Sequence, residues 1–394
     1  MSLHAHQVHR HGCQRHNSTS PPSGGARRSP GREPTQGAAV RHSARQRPQF
    51  AAPRVRACHT PGANSPPLYR ETPLLLSDPL SRVVGRPVYL KMENMQPSGS
   101  FKSRGLGHFC EKARSRGCDH LVISSGGNAG QAVAHSGRVL GIRVTVVVPS
   151  TTPAFMIRRI EDEGADVVVH GDVWDEADAL ARELAGRHGR EHVPPFDHPD
   201  IWEGHASMID EIKHQLTGSP EGNGVPSTPG AVVASVGGGG LLVGCCVGMQ
   251  RAGWNDVPIV AVETEGAASF AAAVKSGRVV SVPEISSVAK SLGARRVSEE
   301  CLVWRRRREI LPFVMSDAQA VEACFRFAVD HRALVEPACG ASLGAAYFRG
   351  DDLPGGGEEP VVVVVCGGNM ATPNLLRQWA VQTRAVQHDV LGVE

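Results

Sequence analysis

Short apolar runs alternate with amphipathic segments along most of this chain from residue 69 onward. The apolar runs are rich in valine and isoleucine and predict buried strands, at residues 88–92, 121–123, 144–148, 165–169, 231–236, 259–262 and 361–365. The amphipathic segments predict helices, at residues 103–113, 129–140, 155–163 and 174–188. Strands that are apolar on both faces and alternate with helices are typical of parallel sheets covered on both sides. The pattern therefore predicts an α/β fold with parallel twisted sheets.

The first 66 residues follow no such pattern. They hold ten arginines and one acidic residue, a net charge of +9, so residues 67–394 carry about −6 of the total of +3. A segment this polar cannot bury enough apolar surface to order itself, which predicts a disordered extension. Its arginine-rich, acid-poor composition also suits a transit peptide, but its prolines and histidines do not favour an amphipathic helix. We therefore expect a cytoplasmic protein, with a mitochondrial location left open.

Charge and cysteine content exclude several classes of protein. The mildly acidic folded part has no basic face for nucleic acid. Residues 231–250 carry no charge, but four glycines at their centre would each cost about 1 kcal/mol in a continuous helix. A strand, a loop and a helix are therefore expected there rather than a membrane span. The ten cysteines form no Cys-x-x-Cys pair and predict unpaired thiols in a reducing compartment.

One lysine stands out, because only six of the 42 basic residues are lysines. Lys102 follows a predicted strand and a turn of proline, serine and glycine, and it precedes a predicted helix. A desolvated lysine can lose its proton and attack an aldehyde, whereas arginine stays charged. A lysine at a helix start is by itself more often a surface residue, so the case for chemistry depends on the loops that follow.

Two glycine-rich turns each follow an apolar strand and open a helix. Residues 124–130 read Ser-Ser-Gly-Gly-Asn-Ala-Gly, and residues 237–240 are four glycines. The amides of such turns converge at a helix N-terminus, where an anion binds. The four glycines leave room for a phosphate, and the first loop suits a carboxylate. A phosphate site, a carboxylate site and one special lysine predict pyridoxal phosphate acting on an amino acid.

A third glycine turn places Cys366 at the carboxyl end of the strand at 361–365, where the sites of open α/β sheets lie. A small buried cysteine at a strand end is the commoner explanation of such a thiol.

Several motifs together resemble the animal L-serine/L-threonine dehydratase family, pyridoxal-phosphate enzymes of fold type II with tryptophan synthase β-like architecture. They occur in the expected order within about 68–385, at residues 97–105, 124–130, 193–197, 201–207, 237–240, 287–293, 335–341 and 365–369. The L-serine dehydratase of liver has alanine at the position of Gly126. This difference makes the chain more similar to the serine dehydratase-like paralogue of that enzyme. The resemblance implies an ammonia-lyase of amino-acid metabolism and gluconeogenesis that converts serine to pyruvate, or threonine to 2-oxobutanoate.

The resemblance also implies a role for each matching residue. Lys102 is implied as the Schiff-base lysine and catalytic base, with Phe101 and Ser291 on the two faces of the cofactor ring and Cys366 beside its pyridine nitrogen. Phosphate-binding amides are implied at Gly237, Gly238, Gly239, Gly240 and Leu241. Asn128 is implied at the phenolic oxygen of the cofactor. The substrate carboxylate is implied at Ser125, Gly126, Gly127, Asn128 and Ala129.

Further expectations come from the same resemblance. The family forms homodimers and binds a monovalent cation, usually K⁺, and its cation positions match Gly237, Glu263, Ala267, Leu292 and Ala294. A large cofactor domain of residues 67–102 and 201–394 and a small mobile domain of residues 103–200 are implied. Residues 298–313 match the family poorly, and we expect the four arginines at 305–308 on a solvated face.

Two alternatives stay open at this point. Another reaction of fold type II, such as serine racemisation, would use the same lysine and the same loops. A catalytically weak homologue, retained for binding or regulation, would also keep the motifs that hold the cofactor.

Overall fold

Ten strands and twelve α-helices make up the residues that this computed structural model describes, 68–218 and 226–385. The predicted extension of residues 1–66 lies outside the described residues. The strands are β1 Leu74–Leu76, β2 Val88–Lys91, β3 His120–Ile123, β4 Arg143–Val148, β5 Asp166–Val169, β6 Arg190–His192, β7 Ala231–Ser235, β8 Ile259–Thr264, β9 Ile310–Met315 and β10 Val361–Val364. The helices are α1 Asp78–Val84, α2 Lys102–Ser115, α3 Asn128–Leu140, α4 Ala154–Asp162, α5 Trp174–Ala185, α6 Pro199–Gly218, α7 Gly240–Ala252, α8 Ser269–Ser276, α9 Glu299–Arg305, α10 Asp317–His331, α11 Pro337–Phe348 and α12 Pro373–Thr383.

The strands form two sheets. One has six strands in the order β1-β2-β10-β7-β8-β9, and the other has four in the order β5-β4-β3-β6. Every pair of neighbouring strands is parallel except β1 with β2, which pair antiparallel with Leu75 opposite Leu90. The predicted α/β fold with parallel sheets is therefore confirmed, with one antiparallel edge strand in addition.

The valine-rich strands lie at the centre of the sheets and are buried on both faces. Every residue of β7, β8 and β10 is buried. The largest apolar cluster surrounds the six-stranded sheet, a second covers one face of the four-stranded sheet, and α5 packs on the opposite face of that sheet. The division into domains at residues 102/103 and 200/201 stays a prediction.

The stretch that matches the family poorly contains a regular strand, β9. Its Pro312 lies in an edge strand of the six-stranded sheet, which is the position where a sheet tolerates proline. The expectation of a solvated arginine face is wrong for Arg308. This side chain is buried and donates hydrogen bonds to the carbonyl oxygens of Trp254 at 2.6 Å and Val257 at 2.9 Å.

The uncharged stretch and the cysteines are arranged as predicted. Residues 231–250 form β7, the glycine turn and most of α7, and no helix among the described residues is long and apolar enough to cross a membrane. The eight cysteines in this part of the chain are all unpaired, and seven of them are buried.

A buried ion network holds the start of α2. Arg104 is fully buried and forms two bidentate pairs, with Glu93 at 2.8 Å and with Glu211 at 2.6 Å. The ammonium of Lys91 lies 2.6 Å from the same Glu211 carboxylate. The network therefore ties β2, the turn that follows it, α2 and α6 to one another within the apolar interior.

Replacing Arg104 should be strongly destabilising, because it would leave two carboxylates without their main cationic partner. We expect Arg104→Met to lower the free energy of unfolding by about 3–5 kcal/mol, measured by denaturant titration followed by circular dichroism. The control is Arg251→Met, which removes an exposed guanidinium that also contacts two carboxylates, those of Glu203 and Asp210. Its effect should stay within about 1 kcal/mol. Equal effects of the two substitutions would contradict a special role for the buried network.

Candidate active site

Lys102 is the first residue of α2, directly after the turn that follows β2. Its Nζ donates a hydrogen bond to the carbonyl oxygen of Pro195 at 2.5 Å and lies 5.4 Å from the centre of the Phe101 ring. Burial lowers the pKa of Lys102 to about 8, and the nearby Cys366 opposes this shift. A large fraction of this amine is therefore neutral near pH 8, in the form that attacks an aldehyde.

Backbone contacts join the turn before Lys102 to the turn after β10. The N–H group of Phe101 donates to the carbonyl oxygen of Cys366 at 3.0 Å, and Ser100 forms a bridge with Gly367. Because β2 and β10 are parallel neighbours, their carboxyl ends lie at the same edge of the sheet. The structure thus brings Phe101, Lys102 and Cys366 together from distant parts of the sequence.

Cys366 is a buried thiol. Its hydrogen bond with Cys339 and its burial raise the pKa of Cys366 well above the usual value. The thiol is therefore protonated at physiological pH, and a neutral thiol is only a weak hydrogen-bonding group.

Asn128 begins α3 and connects two other elements. Its side-chain amide donates to Oε1 of Glu336 at 2.6 Å and to Oγ of Ser291 at 3.4 Å. Oδ1 of Asn128 and Oε2 of Glu336 are buried and have no hydrogen-bond partner. These two free oxygen atoms mark a polar position between α3 and α11.

Glu336 was missed by the sequence analysis, although it lies in one of the motifs. It is the residue before α11, whose first residue is Pro337, and burial raises the pKa of its carboxyl group. The available signal was an acidic residue followed by proline at the edge of an otherwise apolar stretch, which is typical of a helix start.

The four glycines lie between β7 and α7. Gly239 has φ of +96°, a left-handed conformation that favours glycine, and α7 begins at Gly240. A Cβ atom on Gly238 would lie 2.4 Å from the Phe196 ring, so a larger residue would not fit. The amides of this turn stand at the N-terminus of a 13-residue helix, where an anion is stabilised.

The segment of Pro195 and Phe196 connects the glycine turn with Lys102. Phe196 packs on Gly238, and the preceding carbonyl group accepts the hydrogen bond from Lys102. The indole N–H of Trp202 donates to the Phe196 carbonyl oxygen at 3.0 Å and so holds the segment in place. The sequence analysis quoted this segment as a motif but gave it no role.

Residues 125–129 form the turn between β3 and α3 and the first turn of α3. Residues 125–127 are partly exposed, and the N–H of Gly127 donates to Oγ of Ser125 at 3.4 Å. A Cβ atom on Gly126 would lie 2.5 Å from Cγ2 of Thr152. Thr152 therefore occupies the space that an alanine methyl group would need at position 126.

Glu263 is the acidic residue among the predicted cation positions. It is fully buried at the end of β8, and its two oxygens accept the N–H groups of Phe270 and Ala271, each at 2.7 Å. Burial raises the pKa of Glu263 to about 7.

The other predicted cation positions supply backbone groups. Gly237 packs against Leu292, whose carbonyl oxygen accepts the N–H of Ala294 at 2.7 Å. Ala267 donates to the carbonyl oxygen of Thr264 at 2.9 Å. The described part of the chain has no group of three or more His, Cys, Asp or Glu side chains that could hold a metal ion.

The residues at this edge of the large sheet fit pyridoxal phosphate. Lys102 offers an amine of lowered pKa for the aldehyde of the cofactor. The glycine turn offers backbone N–H groups for its phosphate, with no side chains in the way. The buried oxygen of Asn128 lacks a partner, as expected of a residue that contacts a polar ligand.

Comparison with known proteins agrees with this geometry. The pyridoxal-phosphate dependent enzyme family matches residues 66–367. The chain is 51% identical over 322 residues to the serine dehydratase-like protein of Mus musculus. This alignment covers 80% of the present chain and 95% of that relative. The chain is also 49% identical over 310 residues to the L-serine dehydratase/L-threonine deaminase of Homo sapiens, in an alignment that covers 77% and 92%.

Solved structures show the same fold. The crystal structure of a fungal L-serine ammonia-lyase from Rhizomucor miehei superimposes with a TM-score of 0.75 at 38% identity, covering 80% of this chain and 99% of the fungal one. The match to the family model spans more than half of the chain and includes Lys102, the glycine turn and Cys366. This chain belongs to the pyridoxal-phosphate-dependent enzymes of fold type II, in the group of the serine dehydratases.

Proposed function

We propose that the protein is an L-serine/L-threonine ammonia-lyase that uses pyridoxal phosphate. It converts serine to pyruvate and ammonia, and threonine to 2-oxobutanoate and ammonia, by α,β-elimination. The observation that carries the proposal is the position of the Lys102 amine. Burial lowers its pKa, and it donates to the carbonyl oxygen of Pro195. The next residue, Phe196, packs on the glycine turn at the N-terminus of α7. Two relatives that are 51% and 49% identical in sequence are named for the dehydratase activity.

The chain holds the two reactants in separate turns. The amides of the glycine turn bind the cofactor phosphate, and residues 125–129 bind the carboxylate of the amino acid. Bound pyridoxal phosphate supplies an aldehyde that condenses with an amine and a conjugated ring that withdraws electrons from the α-carbon. Phe101 and Ser291 confine the ring between them.

Lys102 moves the proton. Its amine would hold the aldehyde of bound pyridoxal phosphate and, once freed by the amino group of the substrate, would take the proton from the α-carbon. Burial favours the neutral amine that this step requires. The β-hydroxyl group would take up one proton and leave as water, and hydrolysis of the released product by one water molecule gives the keto acid and ammonia.

Cys366 favours elimination over serine racemisation. An acidic group at this position would keep the ring nitrogen protonated and increase the electron withdrawal, whereas a neutral thiol does so weakly. With weaker electron withdrawal, loss of the β-hydroxyl group would be favoured over return of a proton to the opposite face of the α-carbon.

Three finer features belong to the same proposal. A K⁺ ion bound near Glu263 is supported by that buried carboxylate and by the contact between Gly237 and Leu292. A homodimer follows from the resemblance alone. A cytoplasmic location is supported by the unpaired cysteines of the described residues.

Lys102→Ala should abolish the borohydride-reducible cofactor adduct and lower pyruvate formation at least about 10²–10⁴-fold, the usual contribution of a positioned acid or base. The control is Lys112→Ala, which removes an exposed lysine from the same helix. Cofactor absorbance and a coupled pyruvate assay measure the two effects. Normal turnover in Lys102→Ala would contradict the dehydratase mechanism. If the wild-type protein itself formed no pyruvate, a binding or regulatory homologue would be favoured.

The wild-type protein should release pyruvate from L-serine with little D-serine. Cys366→Asp should raise the ratio of D-serine to pyruvate several-fold, because an acid stabilises a protonated ring nitrogen. Cys366→Ser, which is neutral, is the control and should keep the wild-type ratio. Chiral chromatography and the pyruvate assay on one reaction mixture give both products. Equal rates of D-serine and pyruvate in the wild type would favour a racemase.

Removal of K⁺ should lower the activity. We expect pyruvate formation to fall several-fold in a tetramethylammonium buffer of the same ionic strength and to recover when K⁺ is added. Glu263→Gln should require more K⁺ for half-maximal recovery, because it lacks the negative charge. Full activity of the wild type without K⁺ would exclude a required cation.

A further inference from the structure

Four side chains form a hydrogen-bonded cluster that includes Ser124, the residue that precedes the substrate loop 125–129. We call it the Asp178 cluster, and it consists of Ser124, Trp174, Asp178 and His192. The hydroxyl group of Ser124 donates to Oδ1 of Asp178 at 2.6 Å, and Nε2 of His192 lies 3.2 Å from the same oxygen. The indole N–H of Trp174 donates to the carbonyl oxygen of Ser124 at 2.8 Å.

The two central members of the cluster are buried, whereas Trp174 is 45% exposed and covers them from the solvent side. Ser124 is 1% exposed and Asp178 is 7% exposed. Burial alone would raise the pKa of Asp178, but the hydrogen bond from Ser124 and the guanidinium of Arg182, at 2.7 Å, hold it below its ordinary value. Asp178 is therefore a charged, fully satisfied acceptor, which makes its hydrogen bonds strong.

Asp178 connects two segments of the candidate site. Through Ser124 it holds the start of the substrate loop. Through His192, the last residue of β6, it holds the strand that leads into Pro195, the hydrogen-bond partner of Lys102. One carboxylate on α5 thus fixes the beginnings of both segments.

The exposed part of the substrate loop, residues 125–127, has few contacts, whereas Asn128 is hydrogen-bonded to Ser291 and Glu336. Residues 125–127 are partly exposed, whereas Ser124 immediately before them is buried, with its hydroxyl group bonded to Asp178 and its carbonyl oxygen bonded to Trp174. A loop anchored in this way takes its position from its buried start. Groups behind a site that orient the residues in contact with the ligand commonly determine affinity as strongly as those residues do.

We propose that Asp178 is a positioning residue that sets the geometry of the substrate-carboxylate loop through Ser124. Asp178 is buried and its two carboxylate oxygens already accept from Ser124, His192 and Arg182, so it acts on the loop through Ser124. The inference rests on the function proposed above, because it assigns the loop to the substrate carboxylate. It goes further in naming α5 as the element that determines how well serine is bound.

Asp178→Asn tests the proposal, since it removes the charge at nearly constant volume. We expect the KM for L-serine to rise about tenfold or more, as for other residues that orient ligand-binding groups, while cofactor absorbance stays at the wild-type level. Ser124→Ala removes only the hydroxyl link and should raise KM in the same direction. Glu322→Gln is the matched control, because it also removes a carboxylate that pairs with the arginine four residues further on, Arg326, but in α10 and outside the Asp178 cluster. Its KM should stay near that of the wild type.

Hydrogen exchange of the holoenzyme without substrate supplies a second measurement. In Asp178→Asn, amides in peptides covering residues 124–130 should exchange faster, while peptides covering residues 237–241 should keep their wild-type rates. An unchanged KM with unchanged exchange at 124–130 would overturn the proposal. Faster exchange everywhere with loss of cofactor would overturn it too, by showing a general loss of stability. If the wild type formed no pyruvate, the proposed function would fail, and the exchange pattern would still decide whether Asp178 orders this loop.

Discussion

The buried pairing of Arg104 with Glu93 and Glu211 is the interaction on which the site depends most. Arg104 lies two residues after Lys102 on α2, so the network fixes the helix turn that presents the reactive amine. Charges in an apolar interior tolerate little displacement, because each ion loses its compensation when it moves away from its partner. The same rigidity that makes the network costly to disrupt also keeps Lys102 in a fixed position next to the carboxyl ends of β2 and β10.

Around this anchor, the fold brings anion-binding and proton-transfer groups to one side of the large sheet. Parallel strands place their carboxyl ends at a common edge, and the helices that follow direct their N-terminal amides there. The turns after β2, β7 and β10 contribute Lys102, the glycine turn and Cys366. The four-stranded sheet adds the turn after β3 and the segment of Pro195. The chemistry of the site is therefore a consequence of parallel topology as much as of residue type.

Much of this could be predicted from the sequence, and the failures have physical reasons. The valine-rich strands and the glycine turns were predictable because burial on both faces and tight strand–helix turns each demand particular residue types. The short β1 and the proline-containing β9 were not, since three leucines suit a helix as well as a strand and a proline interrupts the pattern of a strand. Arg308 was expected on the surface because a run of arginines does not reveal that one of them meets carbonyl groups in the interior.

The amino-acid sequence by itself determined the fold class and the positions of the glycine turns, and it singled out Lys102, because these depend on local composition and spacing. Only the tertiary structure decided which side chains meet. The contact of Asn128 with Glu336, the carbonyl group of Pro195 over Lys102 and the cluster around Asp178 all join segments far apart in the chain. Such contacts arise from the packing of complete sheets and helices, and burial then sets the pKa values that make the groups useful. Neither the packing nor the burial can be inferred from any single segment of the sequence.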